Sequence, residues 1–141
     1  MGYTTTFEGE LKFTCEMKAT ELAALNDILG EDVREHREWN LDEAASDFYY
    51  IDLELTKDFS GIKWNGSEKS YSMEQQVNAV INLMKRIKPD FGLAGQMEAQ
   101  GEEPRDRWVL RMENGQAVKC EMKIEGPIYR CPHCDREFVP A

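Results

Sequence analysis

The sequence predicts an α+β fold: an antiparallel sheet with two main helices packed on one face, ferredoxin-like or a related two-layer sandwich. Three observations carry that expectation. Period-two alternation recurs in several short runs, two segments repeat apolar residues at helical spacing, and strand and helix runs follow one another without a linker or repeat.

The elements follow in order. From Tyr3 to Met17 the odd positions include Tyr3, Phe7, Leu11, Phe13, Cys15 and Met17, while the even ones are mostly polar. A strand with one buried and one wet face has this pattern. Thr20 to Gly30 reads as a helix, with Thr20 as N-cap, Leu22, Leu25, Ile28 and Leu29 on one side, and a glycine stop. Residues 31–39 are charged, and Asn40-Leu41-Asp42-Glu43 predicts a short capped helix to about Asp47. Alternation returns over Tyr49–Thr56, with Tyr49, Ile51, Leu53 and Leu55 inward, and Ile62-Lys63-Trp64 is its hairpin partner. Ser72 caps the main helix, whose apolar set is Met73, Val77, Val80, Ile81, Met84 and Ile87, and Pro89 stops it. Three strands follow near 91–100, 106–113 and 117–124. Trp108, Leu110 and Met112 face inward in one, and Val118, Cys120, Met122 and Ile124 in the next. Asn114-Gly115 between them is a strong hairpin signal. The domain spans 1–124, and 125–141 is a tail.

Composition limits the function. With 41% hydrophobic residues the chain can bury a core without staples. Its 27 acidic and 17 basic residues give a net charge of −10. That opposes general binding to a phosphate backbone, which needs a basic surface, and suits a basic protein partner. No basic start or apolar run marks the N-terminus, no stretch is long and apolar enough for a membrane span, and four cysteines without an export signal read as thiols. The expected compartment is the cytoplasm.

Cys131-Pro132-His133-Cys134 has the spacing that lets two thiolates share one zinc. Cys120 and Cys15, the other two cysteines, would complete an all-thiolate structural site with no open position for substrate. Simple packing of buried sulfur is the competing reading. The spacing also occurs in thiol oxidoreductases, but here it follows the Gly126-Pro127 break rather than opening a helix.

No residue is assigned as catalytic. Glu98, Glu102, Glu103 and Asp106 gather near a turn, so an alternative function is a metal-dependent enzyme or nucleic-acid-processing accessory using residues 98–106. A solvated acidic turn is the plainer account. His36 reads as a surface residue, and there is no Gly-rich phosphate loop or nucleophile elbow. An interaction surface is expected at Lys12, Arg107, Arg111, Lys119 and Lys123, placed together on the outward sheet face, with Glu10 and Glu121 interleaved.

Three further segments act together. They are the opening Gly2-Tyr3-Thr4-Thr5, the stretch Trp64-Asn65-Gly66-Ser67-Glu68-Lys69-Ser70-Tyr71, and Gln100-Gly101-Glu102 at a strand end. In these the chain resembles a family of small bacterial and phage proteins with no established activity, over about half its length; residues 17–48 depart from the pattern. The resemblance implies a phage or mobile-element setting and supplies no catalytic residues. The expected function is therefore a non-enzymatic binding protein acting through protein contacts, with a host protein as the candidate partner and a structural zinc as stabiliser.

Overall fold

The computed structural model describes residues 4–41, 48–68, 70–121, 123–125, 128–130 and 137–138. Among them, seven strands form an antiparallel sheet and two helices cover it, as the alternating and helical periodicities require. The strands are β1 (Thr6–Glu8), β2 (Glu10–Phe13), β3 (Leu53–Leu55), β4 (Gly61–Trp64), β5 (Leu93–Gln100), β6 (Arg107–Glu113) and β7 (Gln116–Glu121). The helices are α1 (Ala19–Ile28) and α2 (Met73–Lys85). The order is β3-β4-β2-β5-β6-β7, with β1 also paired to β5. Because every pairing is antiparallel, β2 and β3 run parallel with β4 between them, and β4 and β5 run parallel with β2 between them. Three further short strands, β8 (Lys123–Glu125), β9 (Ile128–Arg130) and β10 (Glu137–Phe138), form a second antiparallel sheet.

The predicted first strand is broken in two. Gly9 adopts φ +106°, and a Cβ there would lie 2.8 Å from the Gln96 carbonyl oxygen, so only glycine permits this close, twisted approach. The inward parity survives the break, with Phe7, Leu11 and Phe13 facing the helices. Trp64 and Trp108 flank Phe7 edge-on, each ring 5.7 Å from it.

Helix α2 forms because its apolar residues fall at i, i+3, i+4 and i+7. Met73, Val77, Val80, Ile81 and Met84 are fully buried against the sheet. Five such side chains contribute on the order of 10 kcal/mol before the entropy of ordering is subtracted. The helix ends at Lys85, two residues short of its apolar pattern, and leaves Ile87 exposed rather than inward. Ser72 donates no side-chain cap; its carbonyl accepts from Gln75 and Gln76 instead. Helix α1 starts ahead of Thr20, with the Glu21 carboxylate accepting from the Lys18 N–H at 2.8 Å. The capped helix expected over Asn40–Asp47 falls mostly on residues outside those described. Asn40 itself closes a 3-10 turn, Arg37–Trp39, in the left-handed region.

The face assignment of β7 is reversed. Asn114-Gly115 makes the expected tight turn, with φ of 52° and 79° at its two residues. A two-residue loop sets Met112 opposite Ala117 and Val109 opposite Cys120. With Met112 facing the helices, Ala117 must do so too, and Val118 and Cys120 point to the other face. Asn78 of α2 then clips the outer edge of β7. Its side chain accepts from the Ala117 N–H at 2.7 Å and donates to the Ala117 carbonyl at 3.0 Å. Two edge groups that could have templated another strand are thereby satisfied.

Candidate functional site

The strand expected over Tyr49–Thr56 is a strand only at Leu53–Leu55, and the shortening leaves a distinct surface at residues 49–52. Residues 49–51 are instead tied to the end of α1. Gly30 N–H donates to Ile51 O at 2.7 Å, Val33 N–H to Tyr49 O at 2.8 Å, and Ile51 N–H to Glu31 O at 3.1 Å. Ile51 goes fully into the core. Tyr49, predicted inward, is 54% exposed, and Tyr50 is 49% exposed.

Across from them the loop after β4 folds back on itself. Trp64 Nε1 donates to Ser70 Oγ at 3.0 Å, Ser70 Oγ donates to Ser67 O at 3.1 Å, and Ser67 N–H donates to Asn65 Oδ1 at 3.0 Å. This loop presents Glu68 and Tyr71, the latter 45% exposed. Gln76 joins the two sides. Fully buried in α2, it accepts from the Asp52 N–H at 2.8 Å and donates to the Tyr71 carbonyl at 2.8 Å.

Between the two sides lies a cavity of about 270 Å³ lined by Phe48, Tyr49, Tyr50, Asp52, Glu68, Tyr71 and Gln76. It falls below the range of about 300–1,000 Å³ typical of sites for whole drug-sized ligands and cofactors. Among the described residues, the charged side chains lining it, Asp52 and Glu68, are both acidic. Burial pushes the Asp52 carboxyl above its ordinary range, against hydrogen bonding from Ser70, Ser67 and Gln76. On the neighbouring turn Arg34 is held by Asp32 through bonds of 2.9 and 2.8 Å. Its guanidinium lies 4.3 Å from the Tyr49 ring centroid and 5.7 Å from that of Tyr50. These tyrosines therefore already serve as cation acceptors within the chain.

The residues singled out by sequence do not come together. Lys12, Arg107 and Arg111 share the outward sheet face, but Lys12 is paired to Glu10 at 2.7 Å and bonded to Ser60. Lys119 stands opposite Leu110, on the helix side, with its Nζ 4.8 Å from the Trp108 ring centroid. Lys123 begins β8. The expected common basic face is thus divided, because the tight β6–β7 turn reverses the parity of Lys119.

Cys131 and Cys134 lie outside the described residues. Cys15 has a free thiol, and Cys120 is fully buried on β7. Strand register sets Cys15 and Cys120 roughly 25 Å apart, three strands across and about seven residues along the sheet. These two sulfurs cannot share one metal. Among the described residues there is no group of three or more potential metal-ligating side chains.

The acidic turn is braced by its own chain. Gln100 Nε2 donates to the carbonyls of Gly101 and Glu103, and Glu102 accepts from the Thr4 N–H at 2.9 Å. His36 stacks on Trp39 at 4.0 Å and bridges Glu38 and Glu31, whose carboxylates raise its pKa. It is a partly buried, stacked and hydrogen-bonded residue rather than a bare surface one.

Comparison with protein-family models, curated proteins and solved structures finds no match for this chain. The site must be judged on its geometry. The tyrosine–carboxylate cavity escaped the sequence reading because period-two parity placed Tyr49 inside. One signal was present: neighbouring residues of a strand face opposite sides, so one of Tyr49 and Tyr50 had to be exposed. Among the described residues no helix is long and apolar enough to cross a membrane.

Proposed function

We propose that this chain is a non-enzymatic binding protein that engages a basic protein partner through the surface of Tyr49, Tyr50 and Tyr71. The observation that carries this reading is the exposure of three tyrosines around one cavity walled by Asp52 and Glu68. Tyrosine is enriched where proteins bind one another because it supplies large, stiff contact area with a polar tip. A net charge of −10 favours a basic partner and speeds its encounter. The phage or mobile-element setting, with a host protein as partner in the cytoplasm, rests on the family resemblance and the cysteine usage. The strand order β3-β4-β2-β5, with one strand inserted between each helix-connected parallel pair, supports a ferredoxin-like classification of the core.

Crosslinking and capture from cells, comparing the wild-type chain with the Tyr50→Ala/Tyr71→Ala double variant, tests the proposal. The expected outcome is one or more basic proteins captured by the wild type and lost, at least tenfold, with the folded double variant. Equal capture by both would refute the assigned surface. Glu98→Gln, Glu102→Gln and Glu103→Gln are expected to leave capture unchanged; loss there would favour the acidic-turn alternative.

A structural zinc at Cys131 and Cys134 is a separate proposal supported by their spacing. Intact-mass spectra recorded under native and denaturing conditions are expected to differ by one zinc per chain. A denatured mass lighter by two hydrogens per disulfide, with no native metal, sinks it.

A further inference from the structure

We propose that the cavity between Tyr50 and Tyr71 is a receptor for a single lysine-type ammonium group, free or N-methylated, carried on a protruding side chain of the partner. The inference rests on the binding-protein reading and deepens it by naming what enters the site.

Size, faces and charge converge on this class. A volume of about 270 Å³ is ample for one extended side chain. Tyr49, Tyr50, Tyr71 and Phe48 line the walls, and an alkylammonium combines an apolar stem with a diffuse positive head that aromatic rings attract. Among the described residues Asp52 and Glu68 are the charged groups of the lining, which disfavours an anion and leaves both unanswered by a neutral apolar chain. Arg34 against Tyr49 and Tyr50 demonstrates the attraction within the molecule, and its paired bonds to Asp32 hold it on the adjacent turn. It is not among the residues lining the cavity.

Asp52 gives the site discrimination. Burial disfavours the charged form of the Asp52 carboxyl, and the neighbouring Ser70, Ser67 and Gln76 side chains only partly offset this. An ammonium placed beside it restores the missing favourable interaction, which a neutral group of equal shape cannot do. Gln76 keeps the walls in register by bonding both the Asp52 N–H and the Tyr71 carbonyl, so little ordering remains when the side chain enters.

The test is an NMR titration of the full chain with Nα-acetyl-trimethyllysine methylamide, Nα-acetyl-lysine methylamide and a neutral tert-butyl isostere of the trimethylated probe. Saturable shifts at Tyr50, Asp52 and Tyr71 are expected for both cations, with dissociation constants roughly in the millimolar range for such small probes. The neutral isostere is expected to bind at least fivefold more weakly. Tyr71→Ala and Asp52→Asn should each weaken the cation about fivefold to tenfold. Glu68→Gln, on an exposed side chain, provides a second charge variant should Asp52→Asn fail to fold. Equal binding of the isostere, absence of shifts for both cations, or unchanged affinity in Tyr71→Ala overturns the proposal. Should a partner still be captured in cells while neither cation binds, the ammonium assignment alone fails. Cation binding without any captured partner instead removes the proposed function.

Discussion

Gly61→Ala is expected to lower stability by about 3 kcal/mol or more, moving the melting temperature down by roughly 10 °C. Gly61 opens β4 and pairs with Lys12 of β2. A Cβ added there would overlap the Leu11 carbonyl oxygen and press on the Lys12 Cα, which lies 2.9 Å away. Those are backbone atoms of the neighbouring strand β2, so no rotamer change relieves the collision. Relief requires β4 to move from β2, and Ile62, fully buried against Leu11 and Leu55, would move with it. The adjoining turn resists the shift. Thr56 N–H donates to the Gly61 carbonyl at 3.0 Å and Gly61 N–H donates to Thr56 Oγ1 at 3.2 Å, while Asp58 accepts from the Ser60 and Thr56 hydroxyls, which hold its carboxyl pKa down at about 2. Thermal unfolding followed by circular dichroism measures the effect. A melting temperature within about 2 °C of wild type would show that the two strands do not approach this closely.

The second large effect is expected from Gln76→Leu. Leucine nearly matches glutamine in volume, so the change removes polar contacts rather than opening a cavity. The Asp52 N–H and the Tyr71 carbonyl both lose their partner at 2.8 Å. Each unsatisfied group costs about 1–3 kcal/mol when buried, and these two are only part-buried, so the sum is expected near 3 kcal/mol. The variant should also lose the trimethylated lysine probe beyond what its stability predicts, because the Tyr71 loop and the Asp52 segment are no longer joined. Denaturant unfolding gives the first quantity and the same NMR titration the second. Wild-type stability would mean that water replaces Gln76 freely and that the cavity is not held by this bridge.

Both effects arise where the chain makes contacts that local pattern does not encode. The inward residues Phe7, Leu11, Leu53, Met73, Val77, Val80, Ile81, Met84, Trp108 and Leu110 were legible because burial imposes period two on strands and 3.6 on helices. The Asn114-Gly115 turn was legible because few residue pairs accept two positive φ values in succession. Tyr49, Ile87 and Cys120 were misplaced for one shared reason. Periodicity was extended past the point where the element ended, or across a turn whose length resets the parity.

The candidate site shows the same division more sharply. Its members lie on three separate segments, residues 48–52, the 65–71 loop and α2, and the cavity exists only where these meet. Sequence alone determined the α+β class, the apolar faces, the acidic charge and the β6–β7 hairpin, since these depend on residue type and on neighbours a few positions away. Tertiary structure alone decided which tyrosines remain exposed, that Asp52 is half-buried, that Lys119 leaves the basic face, and that Cys15 and Cys120 stand far apart. Those properties depend on strand register and on which distant segment arrives alongside, and neither leaves a periodic trace in the chain.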